Sequence, residues 1–552
     1  MERSSSEKLQ SSRSTKPLSI GPAAPAAREN YFRFQKSFVS TLCIRFVKAR
    51  GRVIESGMPL GKTFLIAVAA SFLCLPCMAQ APAPPAPSSS YQERIMRLMK
   101  SSTGAWTTDQ IATMARLRDA ALQDSYALVE LRHLTDNIGP RLSGSPQAQQ
   151  AVEYVAAEMR ALGAEVQLEK TLVPHWVRGA ETGELIGWPG QTPGTTQKIV
   201  LTALGGSGAT PSVGLQAEVL VVNSFDELKQ LPSNAAKGKI LLFNERFDKQ
   251  LATQGNGGAA YGKAVVYRAA GPNVAATVGA AAVLVRSVGG ADYRLPHTGA
   301  TLPSPDGRQI PAAAITAEDA DLLANLSRQG PVRMRLTLTP QTLPLVESYN
   351  VIADWKGSEH PEQIVIVSGH LDSWDLGTGA IDDGAGVVVS MEVIHLLKQL
   401  GIHPKRTVRF IAWMDEEQGA EGAQTYAEEH ANNLLNHVAA LESDTGAGHP
   451  VGFHFVGKPE LEEWMRPVAQ VLDSIGASTI THSREVGTDV DPLNAKGVPG
   501  FSPAQDSRFY FNYHHTAADT FDKVDARELN ENGAVMTVLA YALADSADTA
   551  PR

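Results

Sequence analysis

The sequence predicts an α/β protein: a mixed, mostly parallel sheet with helices on both faces, interrupted by a small β-rich insert. Three observations carry that prediction. Residues 346–548 alternate short apolar strands with helical stretches, and such alternation builds a parallel sheet because each crossover helix packs back over a face. Residues 181–345 break the rhythm with short strands split by Gly, Ser and Pro. The strands of 346–548 end in acidic residues and a histidine, and in open α/β sheets ligands gather outside the carboxyl ends of the strands.

Residues 1–57 are rich in Ser and Arg without a period and are expected to be a disordered leader or an over-long gene reading. MPLGKTFLIAVAASFLCLPCMAQA follows, with basic Lys62, an apolar stretch over 64–75 and small residues at 79–81. That is the pattern of a signal peptide over 58–81; the alternative is an anchor helix, for which the apolar stretch is short. PAPPAPSSS (82–90) reads as a proline-rich linker. Residues 91–180 form a helical segment and the first part of the main domain: Ile111, Met114, Leu117, Leu122 and Leu128 recur at roughly helical spacing. A second helix over 147–163 stops on glycine, and a strand covers 164–174. In 181–345 the predicted strands are KIVLTAL, AEVLVVN, GKILLFN, AVLVRSV and VRMRLTLTP, with helices at 274–280 and 315–330. In 346–548 they are YNVIADW, QIVIVSG, RTVRFIAWM and HVAALES.

The 552 residues carry a net charge of −9. Residues 1–81 hold 12 Lys+Arg against 4 Asp+Glu, a net of +8, which leaves −17 on the remainder. A body that acidic argues against nucleic acid or an anionic membrane as partner. All three cysteines (Cys43, Cys74, Cys77) precede the expected cleavage point, so the mature chain would lack disulfides, thiolate metal sites and a cysteine nucleophile. An exported protein, periplasmic or secreted, fits that composition, with no stable membrane span after cleavage. No Gly-x-Ser-x-Gly is present, which weighs against serine hydrolysis.

QIVIVSG ends in His370-Leu371-Asp372, RTVRFIAWM in Asp415-Glu416-Glu417, and HVAALES in Asp444; Asp382-Asp383 lie in the loop after the first. Each piece has an ordinary explanation, as polar side chains in solvent, a helix cap, a solvated helix end or a turn. Together, carboxylates at successive strand ends would repel one another unless a cation joins them. Carboxylate mixed with imidazole favours zinc, then manganese or cobalt.

The order His-x-Asp, Asp-Asp-Gly-x-Gly, Glu-Glu, Ser-Asp and His-x-x-x-Asp-Thr resembles the co-catalytic zinc aminopeptidases and carboxypeptidases, nearest the carboxypeptidase Q branch. LTDNIGPRLSGS, VPHWVRGAE, SGHLDSWDLGTGAIDDGAG, WMDEEQGAEGA, ALESDTGAG and HHTAADTFDKVD carry the likeness over most of the mature chain. The resemblance implies two zinc ions per chain. His370, Asp382 and Asp444 would hold one; Asp382, Glu417 and His515 the other, His515 being preferred to His514 on family spacing. It implies Glu416 as general base, Asp372 bonded to the far nitrogen of His370, a cis Asp382–Asp383 peptide and a protease-associated insert over 181–345. It also implies a dipeptide or short-peptide substrate with a free N-terminus, and a homodimer. A broader aminopeptidase or carboxypeptidase is the alternative, and a non-catalytic binding protein or a glutaminyl cyclase the distant ones. Tyr510 or Tyr513 is expected to serve the oxyanion. Asp489 is expected to meet a substrate amine or to cap a turn, and Arg508 is the nearby candidate for a terminal carboxylate.

Overall fold

The computed structural model describes residues 106–552. The expected leader (1–57), signal peptide (58–81), linker (82–90) and the start of the helical segment lie outside the described residues. Helical spacing over 91–134 resolves into two helices, α1 (Thr108–Ala121) and α2 (Tyr126–Arg132). The break falls at Asp124, whose carboxylate accepts from the amides of Ser125 and Tyr126, the local bonding by which aspartate competes with helix continuation. Helix α3 (Pro146–Leu162) starts on Ser145, which accepts from the Ala148 amide at 3.1 Å, and stops on Gly163 at φ 96°. Strand β1 (Glu165–Val177) leads away from it.

The next elements are β2 (Glu181–Gly187), β3 (Gln197–Ile199), β4 (Leu201–Ala203), β5 (Leu215–Val222), α4 (Phe225–Gln230), β6 (Ile240–Phe243), α5 (Lys249–Thr253), α6 (Gly257–Ala269), α7 (Gly271–Thr277), β7 (Ala282–Arg286), β8 (Ala312–Ile315), α8 (Ala317–Ser327) and β9 (Arg333–Leu338). They make a sheet of order β3-β2-β9-β5-β6-β7-β8-β4, parallel from β5 to β8. Leu241, Phe243 and Val283 pack with Ala264 of α6 and Ala275 of α7. Ile240, Leu242 and Leu284 pack on the other face with Ala320 and Leu323 of α8. This stretch is richer in helix than the sequence suggested. GGAAYGKAVVYRA of α6 is built largely of small residues, which blur its periodicity. KIVLTAL divides at Val200: β3 pairs with β2 and β4 with β8, at opposite edges of the sheet.

The chain returns along β10 (Gln341–Trp355), antiparallel to β1 from Glu165↔Asp354 to Val177↔Gln341. Then come β11 (His360–His370), α9 (Ala385–Gln399), β12 (Arg406–Trp413), α10 (Glu421–Glu429), β13 (His437–Glu442), β14 (Pro450–Val456), α11 (Glu460–Leu472), β15 (Thr479–His482), α12 (Asp491–Asn494), β16 (Gly500–Gln505) and α13 (Ala526–Asp545). The order is β1-β10-β12-β11-β13-β16-β14-β15, with β12, β11, β13 and β16 parallel. QIVIV explains the layering. Val365 and Val367 join the core lined by α9 and α13, whereas Ile364 and Ile366 join Tyr426 of α10 and Leu493 of α12. Successive side chains point to opposite faces, and each aliphatic group so buried contributes roughly 1.5–3 kcal/mol. Both faces of β11 are therefore covered. Among the described residues, no helix is long and apolar enough to cross a membrane.

A polar chain crosses the α10 face. Arg409 grips Asp354 at 2.7 and 2.9 Å and donates to the Tyr426 hydroxyl at 2.9 Å. That hydroxyl lies 2.8 Å from His437 Nε2, and His437 Nδ1 lies 3.1 Å from the Asn433 carbonyl. A neutral imidazole satisfies both contacts, and burial lowers His437 to about 4. Its folded value is depressed, so stability is lost as pH falls from about 6.5 through about 4, a term on the order of 3 kcal/mol. Urea titrations at pH 7 and at a pH near 4.5 are expected to show a smaller acid loss for His437→Gln than for the parent. Equal losses would remove His437 from the acid response.

Candidate metal centre

Strands β11, β12 and β13 end level with one another: His370 is opposite Trp413, and Ser368 is opposite both Ile411 and Glu442. His370, the turn after β12 and the residues after β13 thus reach one edge. The loop after β11 brings Asp382 between two histidines. Asp382 Oδ1 lies 3.3 Å from His370 Nε2, and its Oδ2 lies 3.2 Å from His515 Nε2. Asp444 Oδ1 stands 3.4 Å from His370 Nε2, and Glu417 Oε2 stands 2.9 Å from His515 Nε2. Two sets result, His370–Asp382–Asp444 and Asp382–Glu417–His515, each with its ligand atoms within 4.8 Å of one another. The Asp382–Asp383 peptide is cis.

The donors fit a cation. His370 Nε2, Asp382 Oδ2 and Glu417 Oε1 are buried without a hydrogen-bond partner, whereas buried polar atoms ordinarily have one. Burial would raise Asp382, but His514, His370 and His515 hold it well below the usual carboxylate range. Glu416 sits among these groups, pushed well above that range by burial against the pull of His370, with Asp444 and Glu417 adding to the rise.

The supporting shell departs from expectation at Asp372. His370 Nδ1 lies 3.0 Å from the backbone carbonyl of Asp372, and 3.9 Å from its carboxylate. The carboxylate instead accepts the amides of Asp415, Glu416 and Glu417 at 2.8, 3.1 and 3.3 Å, and the Ser143 hydroxyl at 3.1 Å. These amides lie beyond the end of β12 and need acceptors. Asp383 turns away from the cluster to accept from the amides of His370 and Gly386 at 3.0 and 2.9 Å. Asp519 accepts from Ala380 and Ile381, each at 2.8 Å, and burial raises it to about 7. The fully buried Arg141 donates to the carbonyls of Leu371, Gly139, Thr378 and Gly379 at 2.7–3.2 Å.

Residues 350–540 match the pattern of peptidase family M28. The chain is 41% identical over 419 residues to carboxypeptidase Q of Xenopus laevis, covering 76% of this chain and 85% of the relative. It is 38% identical over 421 residues to carboxypeptidase Q of Homo sapiens, with coverage of 76% and 85%. The chain belongs to peptidase family M28. The crystal structure of a peptidase M28 precursor from Shewanella amazonensis overlays with a TM-score of 0.76 at 34% identity, over 80% of this chain and 98% of that one. A zinc aminopeptidase from Bacillus subtilis shares the fold at a TM-score of 0.55 and 22% identity, over 77% and 96%. Membership makes the chain a hydrolase of the metallo-exopeptidase kind.

Within this M28 site both neighbouring histidines face Asp382: His514 Nε2 lies 3.3 Å from Oδ2. Among the two, the ion-pair contact with Glu417 belongs to His515. His514 Nδ1 turns to His297 Nε2 at 3.1 Å. His297, His514 and His515 also cluster within 4.8 Å, but the Arg268 guanidinium 3.2 Å from His515 Nδ1 opposes a cation there. Tyr510 is buried beside the cluster, its ring packed against Gly446 where a Cβ would come within 2.9 Å. The Tyr513 ring lies 5.7 Å from Lys523 Nζ. Asp489 is fully buried with neither carboxylate oxygen partnered, and burial, then Glu442 and Glu416, push it well above the usual range. Arg508 is committed to Asp506 at 2.9 and 3.0 Å. Reading for ligands alone missed Arg141, His297, Thr298 and Arg268. Arg141 lay inside a motif already noted, but RLPHTG around His297 carries no local signal.

Asp372→Asn would turn its amide donor either toward the Glu417 N–H or toward those of Asp415 and Glu416, whichever oxygen it replaces. Loss of a partner beyond the ligands commonly costs about 10–100-fold in metal affinity or activity, and this variant is expected to fall in that range in both. A variant with the parent's zinc affinity and turnover would disprove the role of the carboxylate.

Proposed function

We propose that the chain is an exported, zinc-dependent exopeptidase that hydrolyses dipeptides or short peptides with a free N-terminus. The observation that carries it is Asp382, which turns one carboxylate oxygen to each of two ligand sets. His370, Asp382 and Asp444 would hold one zinc, and Asp382, Glu417 and His515 the other. The donor types fit: carboxylates mixed with imidazole are a set that zinc takes. Export is supported by the signal-like MPLGKTFLIAVAASFLCLPCMAQA.

When bound, zinc supplies the Lewis acidity that brings a water toward neutral pKa and polarises a peptide carbonyl. Glu416 is the base. Its carboxylate takes the proton from the attacking water and returns it to the leaving amine. Glu417, one residue on, is turned to His515 as a ligand, while Asp372 pins both main-chain amides. Tyr510, buried beside Asp382 and Asp444, would donate to the developing oxyanion.

Two observations favour a substrate amine over a substrate carboxylate. Asp489 offers a buried carboxylate with no protein partner. Three nearby arginines are occupied, Arg141 by carbonyls, Arg178 by Asp375 and Glu181 and Arg508 by Asp506, while Arg268 of α6 gives Nη1 to Tyr261 and keeps a buried Nε without a partner.

Glu416→Gln is expected to bind zinc like the parent and to lose on the order of 10²–10⁴-fold in turnover; retained turnover would remove Glu416 as base. A panel of one apolar dipeptide, free, N-acetylated and C-amidated, separates the specificities by product chromatography. The free and amidated forms are expected to be cut and the acetylated form spared. Cleavage of the acetylated form with sparing of the amide would instead mark a carboxypeptidase.

A further inference from the structure

We propose that the loop after β7, which carries His297 and Thr298, is a positioning part of one metal position, that of Asp382, Glu417 and His515. The other position, His370, Asp382 and Asp444, shares only Asp382 with it. The inference rests on the two-zinc reading above.

The loop and the histidine-bearing segment are joined through their main chains. The Gly290 amide donates to the Phe511 carbonyl at 2.8 Å, and the Thr298 amide donates to the His515 carbonyl at 2.9 Å. The contact is close enough to require glycine: a Cβ on Gly289 would lie 2.6 Å from the Phe511 carbonyl oxygen. His515 itself is held at φ 58°, in the left-handed region. Its Nε2 faces Glu417 and Asp382, and its Nδ1 lies 3.3 Å from the Thr298 carbonyl oxygen. Arg268 Nη1, which can only donate, lies 3.2 Å from the same Nδ1, so the segment is held first by the main-chain bonds, and a metal on Nε2 would require the Nδ1 proton to turn to the Thr298 carbonyl.

Thr298 is fully buried and tied on every side. Its hydroxyl donates to the Ala203 carbonyl at 3.1 Å and accepts from Arg178 Nη2 at 3.2 Å. Arg178 in turn grips Asp375, in the loop between His370 and Asp382, at 2.6 and 2.8 Å. The Thr298 carbonyl also meets His297 Nδ1 at 2.9 Å and Arg268 Nη1 at 3.3 Å. The His370 position meets this network only through the shared Asp382, whose loop Arg178 ties at Asp375. Its imidazole is set by the Asp372 carbonyl, its amide by Asp383, and Asp444 follows β13. The first sheet supplies His370 and the strand that precedes Asp444. The second sheet is needed for the neighbouring position.

The test is zinc titration against a chromophoric chelator, with Thr298→Val and Thr298→Ser compared with the parent. Valine keeps the shape and removes the hydroxyl; serine keeps the hydroxyl. The parent is expected to bind two zincs. T298V is expected to bind one unchanged and the other about 10–100-fold more weakly, the usual range for a partner of a ligating histidine. T298S should bind both as the parent does. In a Glu417→Ala background, T298V should change nothing further. Two unchanged affinities in T298V, equal weakening of both, or failure of serine to restore the second would overturn the proposal. A parent that binds fewer than two zincs overturns the two-zinc reading and this inference with it. Should T298V fail to fold by circular dichroism, His297→Gln removes the imidazole that meets the Thr298 carbonyl, and the same outcomes apply.

Discussion

Carboxylates crowded at one edge of a sheet, out of reach of water, have to be neutralised, and most of the surrounding structure answers to that need. Asp372, Asp383, Asp415, Glu442 and Asp489 are fully buried there. An unpaired buried charge costs far more than any single packing contact contributes. The protein divides the burden. Asp372, Asp383, Asp519 and Glu442 are met by backbone amides, and Arg141 sets one fixed positive charge against the loop that holds Asp382. Asp382 and Glu417 keep an oxygen with no protein hydrogen bond. Asp415 and Asp489 are likewise unpartnered, so an unsatisfied oxygen marks the charged edge and does not by itself pick out the ligands.

The same crowding explains the small residues of SGHLDSWDLGTGAIDDGAG. A Cβ on Gly386 would run into the Ser443 carbonyl and the Asp383 carboxylate, and one on Gly369 would crowd Asp383 and Val387. Those glycines let a carboxylate lie directly on backbone. Trp374 in the same loop is buried in the core of the second sheet, where Gly205 makes room for its ring. Arg178 then ties Asp375 to Glu181 and Thr202. The loop that carries Asp382 is thus anchored in both sheets.

Much of this was legible in the sequence. QIVIV, RTVRFIAW and HVAALE are apolar enough to be read as strands buried on both faces, and the acidic residues following them fix which edge is charged. The two proposed ligand sets were implied by the family likeness, with Asp382 common to both. The second sheet was harder. Its small-residue helices lack amphipathic contrast, and Val200 divides one apolar run between two edges. Asp372 shows a different limit: sequence order places it beside His370, but whether its carbonyl or its carboxylate faces the imidazole depends on where three amides from another strand arrive.

By itself the sequence determined the alternation of elements, the acidic edge and the donor types, because these follow from side-chain chemistry and period along one chain. Tertiary structure decided which nitrogen of each histidine faces the cluster, which carboxylates are satisfied by amides, and that a loop some 220 residues before His515 supplies its carbonyl partner. Those choices depend on hydrogen bonds between segments far apart in the chain, whose geometry no local pattern records.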